Sequence, residues 1–458
     1  MIKRACFAVV GHPNKGKSSI VSTLCHNDSI VVSSRSGTTT HSSSYRVETQ
    51  SAGYELIDTP GFQRAKKVLA WLTAHAESAA QRAEAVKAFV ESSECYSQFP
   101  DEVELLKPIV NGAGILYVVD GSRPFGIEYE PEMEILRWTG QPSMALINPI
   151  ENESHVEEWQ KALAQYFKTV RVFNPMTADF DKQISLLETF AHLQPDWLEN
   201  LSLVVDDLKK DRANKAKDSA EVLARLLNDL TSHSEKQKVL SPEQAKAIKP
   251  VLQKKYQSWM QDRELKAVRD LFLVYQHHQV EFDMNKLDLP PDLFDQRKWY
   301  AWGLDKKRLA SAATMAGATA GAAIDLAVAG HSFMLGAIGG GLAGFGSAWF
   351  GADKLVDLKV QGIPLGGYQA CYGPITNPNF PYVIIGRFKY FHQQVSQRNH
   401  ADRHSAKFES GDFKLSLDKM NKDRQKALHR ACQALAKQKF VEGLSEILFP
   451  ILTADSEN

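Results

Sequence analysis

One short run near the start limits this chain more than any other feature: Gly11-His12-Pro13-Asn14-Lys15-Gly16-Lys17-Ser18-Ser19. It follows Ala5-Cys6-Phe7-Ala8-Val9-Val10, an apolar stretch that reads as a buried strand, and leads into Ile20-Val21-Ser22-Thr23-Leu24, the first turns of a helix. Strand, glycine loop, Lys-Ser and helix are the parts of a phosphate-binding loop. Its glycines let backbone N–H groups curl round a phosphate, and the helix N-terminus adds partial positive charge. In that role Lys17 reaches the β- and γ-phosphates and the Ser18 hydroxyl holds Mg²⁺. Gly11, Asn14, Lys15, Gly16 and Ser19 complete the expected nucleotide contacts.

A loop of this kind calls for further nucleotide contacts at later strand ends, and the sequence offers them in order. Ser36-Gly37-Thr38-Thr39-Thr40-His41 lies in a polar, Ser/Thr-rich segment. One of its threonines can close on Mg²⁺ and the γ-phosphate, as an order–disorder switch does. Ser44 to Glu48 and Tyr54 to Ile57, joined at Ser51-Ala52-Gly53, read as a hairpin ending at Asp58-Thr59-Pro60-Gly61. There Asp58 can hold Mg²⁺ through water and the Gly61 N–H can meet the γ-phosphate.

These motifs together resemble the Era/TrmE-like branch of translation-factor-class GTPases. The resemblance covers about residues 1–195 and implies a Rossmann-like α/β G domain that binds GTP or GDP with Mg²⁺. It makes Thr39, rather than Thr38, the switch I ligand of Mg²⁺. It makes Asn14 the residue that some members use to help bind an activating K⁺. Lys17, Thr39 and Gly61 are then the groups around the reacting phosphate.

Three departures from that pattern bear on activity. Phe62 follows Gly61 where a water-orienting Gln stands in Ras-type enzymes, so intrinsic hydrolysis is expected to be slow. The stretch from Gly61 to the strand Gly114-Ile115-Leu116-Tyr117-Val118-Val119-Asp120 exceeds ordinary loop lengths and is helix-patterned, which predicts a helical insertion over about 63–111. The guanine-reading N-K-x-D appears as Asn148-Pro149-Ile150-Glu151, after the strand Ser143 to Ile147. Glu151 supplies a carboxylate for the guanine edge but is one methylene longer, and Pro149 removes the lysine stem that would cover the base. GTP is the expected nucleotide, with weak selectivity or ATP as the alternative. Val170 to Asn174 reads as the last strand.

At 458 residues the chain predicts two to four domains. Lys+Arg and Asp+Glu both number 54, so overall charge gives no reason to expect a polyanionic partner. Five scattered cysteines without a CxxC pair fit a reducing compartment and argue against a disulfide framework or zinc site. The first residues lead into the first strand without a signal-peptide cleavage pattern, which predicts a cytoplasmic location.

From Pro195 to about His278 the pattern is charged and helical, giving an arm or bundle over 196–290. The composition then changes abruptly. After Arg297-Lys298-Trp299-Tyr300-Ala301-Trp302 and Lys306-Lys307-Arg308, the Ala/Gly-rich stretch 309–352 is almost without charge apart from Asp325, and glycines recur at four-residue spacing. That spacing lets two helices approach closely, and the aromatic and basic flank is that of an interfacial anchor. Two readings of the hairpin 291–355 are open: peripheral or integral association with the inner face of the cytoplasmic membrane, or a buried hairpin in a soluble domain. Residues 356–458 read as a small α+β region with short strands, Tyr382-Val383-Ile384-Ile385-Gly386 among them, and a closing helix over about 418–437. Ile384-Ile385-Gly386-Arg387 resembles the start of a KH loop, but Lys389 stands where its second glycine belongs, so nucleic acid is not an expected partner. His400 and His404 have helical metal-ligand spacing without a third ligand, which favours a solvated turn.

A GTPase domain joined to such a tail resembles a group of bacterial GTPases with an uncharacterised C-terminal domain. The expected function is a slowly hydrolysing GTP switch that couples nucleotide state to a membrane or to a protein partner, self-association included. A non-catalytic, nucleotide-stabilised scaffold and an Era-like RNA or ribosome-associated factor are the alternatives.

Overall fold

Strand β1 (Ala5–Val10) lies at the centre of the N-terminal sheet and is buried on both faces, as its continuous apolar run requires. In the computed structural model the described residues are 4–25, 42–277, 349–354, 359–360, 363–364, 368–398 and 421–453. Thr38, Thr39, most of the Ala/Gly-rich stretch, His400 and His404 lie outside them. The chain divides into two units, Met1–Arg212 with Gln397–His404, and Ala213–Ser396 with Ser405–Asn458.

The first unit is a mixed six-stranded sheet in the order β2-β3-β1-β4-β5-β6. Its strands are β1, β2 (Ser43–Glu48), β3 (Gly53–Asp58), β4 (Gly114–Asp120), β5 (Ser143–Asn148) and β6 (Val170–Val172). Only β2 runs antiparallel, paired with β3 as the hairpin pattern predicts. The others are parallel, with Val9 opposite Asp58, Val10 opposite Tyr117 and Asp120 opposite Asn148. That register brings the carboxyl ends of β1, β3, β4 and β5 to one edge, where ligands of open α/β sheets bind.

Helices cover both faces. Ala8 and Val10 point into a core shared with α2 (Ala65–Ala74), α3 (Arg82–Glu91), α4 (Ser93–Gln98), α5 (Pro100–Val110), α6 (Glu130–Trp138) and α7 (Val156–Leu163). Helices α2 to α5 occupy the stretch between β3 and β4, where the sequence predicts a helical insertion. On the other face Phe7 packs between Phe190 and Trp197, with ring centres 4.7 and 4.9 Å away, in a core built from α1 (Lys17–Leu24), α8 (Phe180–Ala191) and the start of α9 (Pro195–Ser232). The division between units falls inside α9. Its early residues brace the sheet: Asp207 accepts the Ser51 N–H at 2.6 Å and the Thr49 hydroxyl at 2.9 Å, fastening the β2–β3 turn.

The second unit pairs three antiparallel strands, β7 (Glu235–Val239), β8 (Trp349–Lys354) and β11 (Tyr368–Tyr372), with β11 central. A separate two-stranded ribbon joins β9 (Lys359–Val360) to β10 (Ile363–Pro364). Helix α10 (Pro242–Val274) packs on the sheet, and α11 (Phe380–Ser396), α12 (Lys422–Ala436) and α13 (Leu444–Thr453) complete the core.

Two elements here differ from the sequence pattern. β7 sits inside the stretch expected to be helical: among the described residues it pairs on one side only, and its charged Lys236 and Lys238 face solvent as suits an edge strand. The run expected to form short strands, Tyr382 to Gly386, lies in α11. That helix is buried from Phe380 to His392, so no polar stripe marks its period, and its β-branched run mimics a strand. The KH-like tetrad Ile384 to Arg387 is therefore buried helix, not an exposed loop.

Candidate nucleotide site

The turn after β1 has the backbone that a phosphate cradle needs. Gly11 and Gly16 have φ of 142° and 86°, and Asn14 is left-handed at 61°. At Gly16 a Cβ would come within 2.3 Å of the Asn148 amide nitrogen, and at Gly11 within 2.4 Å of the Val118 carbonyl, so both glycines are required by close approach. Gly16 then hands the chain to α1, whose free first-turn amides face the loop.

Lys17 is 8% exposed, and its amine donates to the carbonyls of Gly11 at 3.3 Å and His12 at 3.1 Å. Burial pushes its pKa down to about 8, with Asp58 and Glu132 opposing the shift and Lys15 adding to it. Ser18 Oγ donates to Asp58 Oδ2 at 2.6 Å, so a hydroxyl from the start of α1 and a carboxylate from the end of β3 meet beside the loop. Such an oxygen pair suits Mg²⁺, which takes the rest of its shell from water and phosphate. Ser19 follows in the same helical turn, partly buried.

Gly61 closes onto the loop from the β3 side. A Cβ there would lie 2.6 Å from the Pro13 nitrogen, and the Phe62 N–H donates to the Gly11 carbonyl at 3.3 Å. The Phe62 ring is 1% exposed and packs in the core with Ala8 and Val10, pointing away from the loop.

Lys15 and Asn148 brace the cradle. Lys15 Nζ lies 3.6 Å from Asp120 Oδ2 and 5.8 Å from the Tyr129 ring centre, so its side chain turns toward the end of β4. The Asn148 amide donates to the Lys15 carbonyl at 3.1 Å, tying β5 to the loop. Glu151, expected from the sequence to read the base, is 62% exposed and paired with Arg123 at 3.2 Å. Asn174, after β6, donates to the Pro149 carbonyl at 3.1 Å and so holds together the loops that follow β5 and β6.

The structure adds a group that the motifs do not show. Glu132 on α6 is 2% exposed, bonded to His12 Nδ1 at 2.9 Å and to the Tyr117 hydroxyl at 2.9 Å. Burial raises its pKa against the pull of His12, Tyr117 and Lys17. A glutamate on the apolar stripe of Met133, Ile135 and Leu136 was the available signal.

Residues 160–444 match the family described as "Domain of unknown function (DUF3482)", which is more than half of the chain. The chain belongs to that family. Residues 6–142 match "50S ribosome-binding GTPase". GTPase Der of Rhodopirellula baltica is 26% identical over 167 residues, covering 36% of this chain and 31% of the relative. GTPase Der of Desulforapulum autotrophicum is 43% identical over 63 residues, covering 14% of this chain and 13% of the relative. The chain thus spans about a third or less of the length of these relatives. Together with the motifs they make the N-terminal domain a P-loop GTPase domain of the translation-factor class. Among solved structures, Aquifex aeolicus Era bound to GDP and AlF4⁻ gives a TM-score of 0.28 at 16% identity, covering 52% of this chain and 74% of that one. Era in complex with MgGDPNP and part of 16S ribosomal RNA gives 0.28 at 16%, covering 60% and 90%. Likenesses that slight bear on neither function nor partner.

Proposed function

We propose that this chain is a slowly hydrolysing GTP switch whose nucleotide state is passed to a membrane surface or protein partner. The observation that carries this reading is the convergence of Lys17, the Ser18–Asp58 pair, Gly61 and Asn148 on one sheet edge around a glycine cradle. In the proposed site the loop amides and Lys17 hold the phosphates, and the Gly61 N–H meets the γ-phosphate. Ser18 and Thr39 hold Mg²⁺ with Asp58 behind them, and the ion neutralises phosphate charge when bound. Asn14 assists K⁺, and Asn148 and Glu151 face the base once Glu151 leaves Arg123. With Phe62 packed in the core, no side chain at that position orients water, which supports low turnover.

The membrane half of the reading rests on sequence. Residues 309–348 lie outside the described residues, and no helix among the described ones is long and apolar enough to cross a membrane. Basic side chains outnumber acidic ones after Arg212 and the reverse holds before it, which favours an anionic surface for the C-terminal part. Calorimetry with GDP and a GTP analogue tests the switch, and flotation of the whole protein with anionic liposomes tests the membrane. Phosphate release separates a switch from a scaffold that binds nucleotide without turning it over.

A further inference from the structure

Helix α5 touches both segments that border the γ-phosphate position of the proposed site. Its Glu102 carboxylate is 1% exposed, and through Oε1 it accepts the Gln63 N–H at 3.0 Å together with the Arg64 N–H. Those are the two amides directly after Gly61 and Phe62. On the same helix the Glu104 carbonyl accepts the Ser42 hydroxyl at 2.8 Å, where the chain enters β2 after the segment holding Thr39. A fourth bond runs from the Arg64 guanidinium to the Gln98 carbonyl at 2.8 Å, at the end of α4.

The start of α2 has amides that helix geometry leaves without partners, and its cap residue Arg64 supplies no side-chain cap. Glu102 instead accepts, from another helix, the N–H of that cap residue and of the residue before it, and its carboxylate makes a strong acceptor. The Phe62 ring is fixed in the core between Gly61 and these two amides. The loop is therefore held directly after the glycine that would meet a γ-phosphate.

We propose that Glu102 is a positioning residue that presets switch II for a γ-phosphate, and that α5 is a built-in clamp reading whether one is bound. The proposal rests on the switch reading above. GDP does not reach Gly61, so loss of the clamp weakens binding of triphosphate selectively. A purely architectural glutamate would weaken both nucleotides together.

The test uses the full chain and its Glu102→Ala, Glu102→Gln and Ser42→Ala variants. GDP and GMPPNP affinities are measured by calorimetry, with single-turnover phosphate release. Glu102→Ala is expected to weaken GMPPNP about tenfold and slow release about tenfold while GDP stays within about twofold. Glu102→Gln, whose amide oxygen still accepts both N–H groups, is expected to stay within about threefold of the natural protein. Equal loss of both nucleotides, no change in either, or a Gln variant as impaired as the Ala variant would overturn the proposal. If Glu102→Ala does not fold, Ser42→Ala, which removes the other bond to α5, decides: about a threefold rise in the GMPPNP-to-GDP ratio of dissociation constants supports the clamp, and an unchanged ratio overturns it. A natural protein that binds neither nucleotide would instead remove the switch reading, and the clamp with it.

Discussion

Lys17, Asp58 and Glu132 in the first unit and Glu264 and Arg387 in the second are all nearly removed from water, yet they are arranged differently. In the second unit Arg387 grips Glu264 through two parallel bonds, Nε to Oε1 at 2.6 Å and Nη2 to Oε2 at 2.8 Å, at the middle of two packed helices. There each ion faces a matched counter-ion, and such bidentate geometry offsets the cost of dehydrating both. In the first unit the charges stand at a sheet edge, and Lys17 is bonded to backbone carbonyls, with its pKa depressed to about 8. A cation kept there against its own dehydration has a use for an anion; a cation matched to a carboxylate in a core does not. Burial of charge alone therefore does not mark a site, whereas burial without a matched counter-ion at a ligand-binding edge does.

The largest test of that contrast is Lys17→Ala, expected to weaken GDP by at least about 100-fold in calorimetry, since the loop loses its one ammonium donor to phosphate. Its thermal midpoint should stay level or rise, because a dehydrated charge has been removed. Arg387→Ala should do the reverse. Leaving Glu264 buried without its partner is expected to cost about 3–5 kcal/mol of stability in denaturant titrations. A drop in nucleotide affinity with unchanged stability in Arg387→Ala would break the comparison.

Phe62→Gln sharpens it within the first unit. Because the ring lies in the core, the substitution should cost about 2–4 kcal/mol and leave single-turnover hydrolysis no faster. A rate rise would show that this position faces the nucleotide after all. In sodium buffer the natural protein should turn over at about 10⁻³ s⁻¹ or slower, and potassium should speed it; brisk release in sodium would contradict the roles given to Phe62 and Asn14.

The smallest expected effect concerns thiols beside the first unit's sheet. Burial raises Cys6 to about 11 and Cys25 to about 12, with Glu55 and Asp58 adding to the respective shifts. A raised thiol pKa leaves little thiolate near neutrality, so alkylation followed by mass spectrometry should be slow at pH 8. It should quicken about tenfold per unit toward pH 10. A flat rate across that range would mean that access, not ionisation, controls these cysteines.

Much of the nucleotide edge was legible because its residues are chained to local backbone needs. Gly11 and Gly16 sit at positive φ, Ser18 follows Lys17 at a helix start, and Asp58 and Asn148 close their strands. Each is set by a few neighbours in sequence, so spacing alone exposes it. Glu102, Glu132 and Asp120 act over long separations, reaching Gln63, His12 and Lys15, and no local pattern encodes those meetings.

The sequence by itself determined the phosphate loop, the order of strands that must follow it and the helical character of the insertion, because backbone conformation and apolar period are local properties. Tertiary structure alone decided that Phe62 turns into the core, that Glu235–Val239 joins a sheet as an edge strand, and that Phe380–Ser396 is a helix. A helix buried all round loses its period and an edge strand can be wholly charged. What such segments become is fixed by what they pack against, not by how they read.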